Sequence, residues 1–190
     1  MWWAELLNSI VALLESGAGG AGGSFESIAT STPTSGSSVT FSSIPSTYKH
    51  LQIRYSIITA AYSDIRLRFN GDTGSNYPSH VLWGRDNGTV GAEGYTATSS
   101  ALIYSNNIEG TTNTFPNVGI IDIIDYASTT KNKTIRTFAG SENNNLINPR
   151  SMVQLTSGAW LSTTAANSVT IISGTYATGT TISLYGIKGA

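Results

Sequence analysis

Cysteine is absent from the 190 residues, which removes disulfide frames, thiolate nucleophiles and cysteine-ligated zinc. Charge is scarce as well. Asp, Glu, Lys and Arg make up 11% of the chain, ten basic residues against eleven acidic ones, for a net charge of −1; an average soluble domain carries about 25%. A chain so balanced and so poor in cations has no field with which to hold a phosphate backbone, so nucleic-acid binding is not expected. Imidazole comes only from His50 and His80. Long apolar runs are missing too. The one strongly apolar segment, residues 1–16, spans about 24 Å as a helix and includes Glu5 and Glu15, too short and too polar for a membrane span. The first basic residue is Lys49, so this segment also lacks the positive leader of a secretory signal.

Hydroxyls and amides take the place of charge: Ser and Thr together number 51, with 20 Gly and 14 Asn. Residues 1–16 carry the sole helical pattern. Trp3, Leu6, Leu7, Ile10, Leu13 and Leu14 recur at helical spacing and form one apolar stripe, which Gly17 ends. Residues 17–24 consist only of Gly, Ala and Ser and read as a tether. An isolated helix of this length is marginal in water, so the stripe is expected to dock on a partner or on its own copies.

From residue 25 the apolar period becomes two. Leu51, Ile53, Tyr55 and Ile57 alternate with polar neighbours, as do Ile65, Leu67 and Phe69. Further strands are expected at 39–42, 80–83, 101–105, 118–126, 134–139, 152–155, 169–173 and 182–187. Asn70-Gly71, Asn87-Gly88, Ser157-Gly158 and Thr178-Gly179 are turn signals. The expected fold is all-β, an antiparallel β-sandwich of jelly-roll type over 25–190, preceded by one short α-helix at 1–16 and the linker at 17–24. One strand breaks the alternation. In residues 119–125 isoleucine occupies both faces, as in a central strand or one at a subunit contact.

Chemistry-bearing motifs are sparse. Asp72-Thr73-Gly74 matches the aspartic-protease tripeptide, but it follows Asn70-Gly71 rather than an apolar strand and occurs once. The same loop alternates oxygen-bearing side chains yet lacks the clustered carboxylates of a calcium site. Asp122 and Asp125 lie three apart on a strand, hence on opposite faces, and do not pair as glycosidase acids. No catalytic, cofactor or metal site is therefore assigned. Seven aromatics in or beside Asn-, Ser- and Gly-rich segments, Tyr62, Tyr77, Trp83, Tyr95, Tyr104, Trp160 and Tyr176, are the candidates for facing a ligand such as a sugar ring.

Several phrases carry a family likeness: residues 40–54 (TFSSIPSTYKHLQIR), 25–29 (FESIA), 67–72 (LRFNGD), Tyr77 with His80, and 182–188 (ISLYGIK). Over residues 24–190 the chain resembles a family of tailed-phage virion proteins, common among cyanophages. The resemblance implies a non-enzymatic structural module of all-β fold on fibres, necks or capsid surfaces, with no catalytic residues. The chain is thus expected to be a virion component, a short neck or tail fibre or appendage attached through Trp3, Leu6, Leu7, Ile10, Leu13 and Leu14. It is expected to form a homo-oligomer, a trimer first, among other virion proteins. A capsid-decorating protein and a host-glycan-binding module are the alternatives.

Overall fold

A computed structural model describes residues 23–61, 63–96, 98–105, 115–142 and 151–189. Among them there are twelve strands and no helix long and apolar enough to cross a membrane. The strands are β1 (Phe25–Ser31), β2 (Ser38–Phe41), β3 (His50–Ile57), β4 (Ile65–Phe69), β5 (Ser79–Arg85) and β6 (Val90–Tyr95). They continue with β7 (Ala101–Tyr104), β8 (Asn117–Ile124), β9 (Lys133–Ser141), β10 (Met152–Trp160), β11 (Val169–Ile172) and β12 (Thr181–Ile187). An eight-stranded sheet runs β1-β12-β3-β8-β9-β10-β5-β6, and a four-stranded sheet runs β2-β11-β4-β7. Every pairing is antiparallel. The expected helix at 1–16, most of the linker and the six residues of the apolar stripe lie outside the described residues.

The winding is regular. First strands pair with last ones, β1 with β12 and β2 with β11, while β3 pairs with β8 and β4 with β7. Two excursions, β5–β6 and β9–β10, both join the large sheet beyond β8 and double its width. The alternation read from sequence decides which side chains go inside. Leu51, Ile53, Tyr55 and Ile57 of β3 and Ile121 and Ile123 of β8 face Ile65, Leu67 and Phe69 of β4 and Val169 and Ile171 of β11 in one core.

The small sheet has half as many strands, and its edge strand β7 meets β9 and β10. Polar side chains finish that edge. The Ile103 carbonyl accepts from Thr137 Oγ1 at 3.0 Å and Gln154 Nε2 at 3.3 Å, while Gln154 Oε1 takes the Ser105 N–H at 3.1 Å. A buried strand edge is thereby satisfied without another strand.

The turn signals divide. Asn87-Gly88 closes the β5–β6 hairpin, with Gly88 at φ +79°. Asn70 and Gly71 both take positive φ (50° and 68°), and Asp72 N–H bonds the Phe69 carbonyl at 2.8 Å. That tight turn carries the chain from the small sheet toward β5 of the large one instead of closing a hairpin. Thr178-Gly179 turns into β12, with Gly179 at φ +95°. Ser157-Gly158 lies within β10, not in a turn; Ser157 and Gly158 pair on one side with Arg136 and Ile135 and on the other with His80 and Ser79, so both ladders run through them.

At Gly119 the reason for glycine is close approach. A Cβ there would lie 2.5 Å from the Tyr55 hydroxyl oxygen on the neighbouring strand. Gly119→Ala is expected to lower stability by about 1–3 kcal/mol through overpacking, read as a reduced urea midpoint at unchanged m-value.

Candidate functional site

Among the described residues, the aromatics proposed from sequence as ligand-facing do not come together on one exposed face. Tyr77, Tyr104, Trp160 and Tyr176 are buried, which corrects that expectation. Their position beside polar loops reflects strand ends, where large rings close the core and send their polar tips to backbone. Tyr77 accepts the Phe69 N–H at 3.1 Å, Tyr176 donates to the Ile171 carbonyl at 3.0 Å, and Tyr104 shares a hydrogen bond with Ser141. Trp83 is half-buried beneath the Arg85 guanidinium, 4.7 Å from its ring centroid. Tyr95, on the edge strand β6, donates to Glu93. Tyr62 lies outside the described residues.

The acidic motif is a structural hub. Asp72 Oδ2 accepts from Trp160 Nε1 at 2.6 Å and Asn76 Nδ2 at 2.9 Å, while Oδ1 accepts the Gly74 N–H at 2.7 Å. The Trp160 N–H first, then Asn76 and Gly74, hold this carboxyl below the usual aspartate range. Both oxygens are engaged by protein donors, and the carboxylate ties the Asp72–Asn76 loop to Trp160 of β10. Beside it, Lys133 is fully buried, with Nζ donating to the Ser128 carbonyl at 2.6 Å, to the Lys131 carbonyl at 3.1 Å and to the Ser162 carbonyl at 3.3 Å. Desolvation lowers its pKa. His50 Nδ1 accepts the Asp125 N–H at 3.1 Å, and His80 is exposed.

What the fold does assemble is an apolar outer face on the large sheet. Strand register places Ile120, Phe138, Leu155, Leu82 and Ala92 side by side across β8, β9, β10, β5 and β6. The adjacent row on the same face reads Val118, Gly140, Val153, Gly84 and Val90. Exposure of the large members runs from 39% at Ile120 to 78% at Val90. Shallow grooves run over the glycines between the valines. Monomers rarely leave contiguous apolar patches beyond a few hundred Å² in water.

Sequence reading found only the β8 part of this face, from isoleucine on both sides of residues 119–125. The structure makes β8 an internal strand, with Ile121 and Ile123 inward and Ile120 outward. The same both-faced signal was present in Val81-Leu82-Trp83 and Met152-Val153. Only register reveals that these residues stand beside one another.

No protein-family model and no curated protein matches the sequence. Among solved structures, the chain is similar to the galectin LEC-6 of Caenorhabditis elegans at 12% identity, covering 82% of this chain and 94% of that one, with a TM-score of 0.35. It is also similar to SO2946 of Shewanella oneidensis MR-1, a protein of unknown function, at 8% identity, covering 87% of this chain and 78% of that one, with a TM-score of 0.21. At these scores the likenesses carry no functional argument, and the chain stands on its own geometry as a two-sheet antiparallel β-sandwich.

Proposed function

We propose that the chain is a non-enzymatic structural component of a tailed-phage particle, a short neck or tail fibre or appendage whose N-terminal residues attach it to the virion. The observation that carries this reading is the broad apolar outer face, which suits a subunit that is covered in an assembly. The wound strand order supports it. Two four-stranded layers, β1-β12-β3-β8 and β2-β11-β4-β7, follow the order of a jelly roll, an architecture used in viral capsids and lectins. The scarcity of charge is consistent with crowded copies, since like charges would repel one another across every contact. A glycan-binding module draws less support, because four of the seven proposed aromatics lie in the core.

Attachment is assigned to Trp3, Leu6, Leu7, Ile10, Leu13 and Leu14. Burial of such side chains contributes roughly 1.5–3 kcal/mol each before ordering costs, so six suffice for a stable joint. Deleting residues 1–23 is expected to leave the β-body with unchanged far-ultraviolet circular dichroism and to abolish its incorporation into particles. Normal incorporation of the truncated chain rejects the attachment role. Detection of the intact chain in purified particles by mass spectrometry tests the virion reading itself.

A further inference from the structure

We infer that the apolar outer face of the large sheet is a self-complementary contact, covered by the same face of a second copy across a two-fold axis perpendicular to the strands. The inference rests on the face alone and is independent of which assembly the protein joins.

The first argument is shape. On β9, Phe138 in one row is followed two residues on by Gly140 in the other; on β5, Leu82 is followed by Gly84. A two-fold axis running between the rows sets each strand against its own copy in reversed direction. Phe138 then meets the partner copy's glycine at the Gly140 position, and Leu82 meets the glycine at the Gly84 position. The two bulkiest outward apolar side chains on β9 and β5 thus lie over glycines, while Ile120 opposes Val118 on β8 and Leu155 opposes Val153 on β10. Sheets stacked face to face in this way sit about 10 Å apart.

The second argument is that the subunit's own packing does not require glycine at position 84. A Cβ there would touch Val90 and Val153 methyls at 3.7 and 3.8 Å, ordinary van der Waals contact, and its backbone is not left-handed. A glycine inside a strand forgoes packing and entropy unless something approaches closely. The opposing leucine is that something.

Charge adds a third. Along β9 the outward order is Arg136, Phe138 and Gly140, and Glu142 follows just beyond the strand's end. The same axis that seats Phe138 over glycine brings Arg136 of each copy to Glu142 of the other. At the neighbouring strand end, Asp86 accepts the Ser151 N–H at 3.2 Å and Ser151 Oγ donates to Glu142, so one rim of the face is acidic; Arg136 stands on the opposite rim, in register with Asp122 of β8. In the head-to-head alternative, like charges would face each other. Seven partly exposed large side chains in the two rows, with the polar rims around them, form the apolar centre and polar border of a standard interface, which buries roughly 800 Å² per partner.

Analytical ultracentrifugation of the full chain at micromolar concentration provides the test. The wild-type chain is expected to sediment as a dimer. Phe138→Glu and Gly84→Val are each expected to raise the dissociation constant at least about tenfold, with circular dichroism unchanged because both positions face outward. The second substitution adds apolar surface while filling the hole, so it separates fitted pairing from unspecific stickiness. Arg136→Glu alone is expected to weaken the dimer, and Arg136→Glu with Glu142→Arg to restore it. A monomeric wild-type chain, as when residues 1–16 cover the face in cis, overturns the inference. So does a trimer, an assembly that neither Phe138→Glu nor Gly84→Val alters, or a charge swap that restores nothing.

Discussion

Raising the pH from 10 to 12 is expected to unfold the β-body cooperatively. Tyr55, Tyr77 and Tyr176 are buried in the core, and desolvation is the first cause of the raised pKa of each, with Tyr77 pushed up to about 12 and the other two higher still. The unfolded chain releases these protons near 10, the ordinary tyrosine value, while the folded chain keeps them. Stability is therefore fully present below pH 10 and is lost as the pH climbs toward the folded values. Each such group removes about 1.4 kcal/mol per pH unit, about 4 kcal/mol for the three, against a total of roughly 5–15 kcal/mol for an ordinary domain. Tyr104 and Tyr126, also buried and shifted upward by desolvation, add to the same slope. Lys133 runs the other way, because its lowered pKa lets the native chain shed a proton before the unfolded one does; one group does not offset three. Tyrosinate absorbance at 295 nm and circular dichroism should change together in one steep transition. Gradual ionisation near pH 10 with the circular dichroism intact would contradict it.

Trp160→Ala is expected to cost about 3–5 kcal/mol, enough to bring a marginal domain close to unfolding. The ring is buried and stacks on Phe69 at 5.2 Å and Tyr77 at 6.5 Å between centroids, under the Lys133 ammonium at 5.6 Å. Its N–H holds Asp72, which fixes the loop that leaves β4. Two partial changes separate these contributions. Trp160→Phe keeps most of the packing and removes the N–H, while Asp72→Asn keeps the shape and removes the charge; each is expected to lose about 1.5–3 kcal/mol, the range for hydrogen bonds to a charged group. Because the folded carboxyl titrates below its ordinary value, its contribution is present above pH 4 and lost as the pH falls through the folded pKa. The wild-type chain should accordingly lose more stability than Asp72→Asn on acidification below pH 4. Urea midpoints at pH 7 and pH 3 for the four chains supply the comparison.

Ten of the twelve strands were legible as alternating or apolar runs, and the two that were not, β1 and β6, are the edges of the large sheet. Edge strands pair on one side only and bury little. β1 reads FESIATS with a bulge between Ser27 and Ala29, and β6 reads VGAEGY, with two glycines in six residues. Neither offers the alternation that a half-buried strand shows. The aromatics misled for a related reason. A ring next to Asn, Gly and Ser looks like a binding loop in one dimension, whereas Tyr77 and Trp160, 83 positions apart in the chain, meet and close the core together.

What the sequence by itself determined is which side chains face inward along each strand, because the pleat has a strict period of two and burial of Leu51, Ile53, Leu67 or Val169 settles its phase. It also determined the chain's poverty in charge and its lack of thiols, which leaves no disulfide or thiolate chemistry. Only the tertiary structure decided the order in which strands pair. That order comes from contacts between residues as distant as Phe25 and Ile187, which no local pattern encodes. The apolar outer face belongs to the same class of fact. Its residues come from five strands scattered between positions 82 and 155, and they become a surface only when hydrogen-bond register sets them side by side.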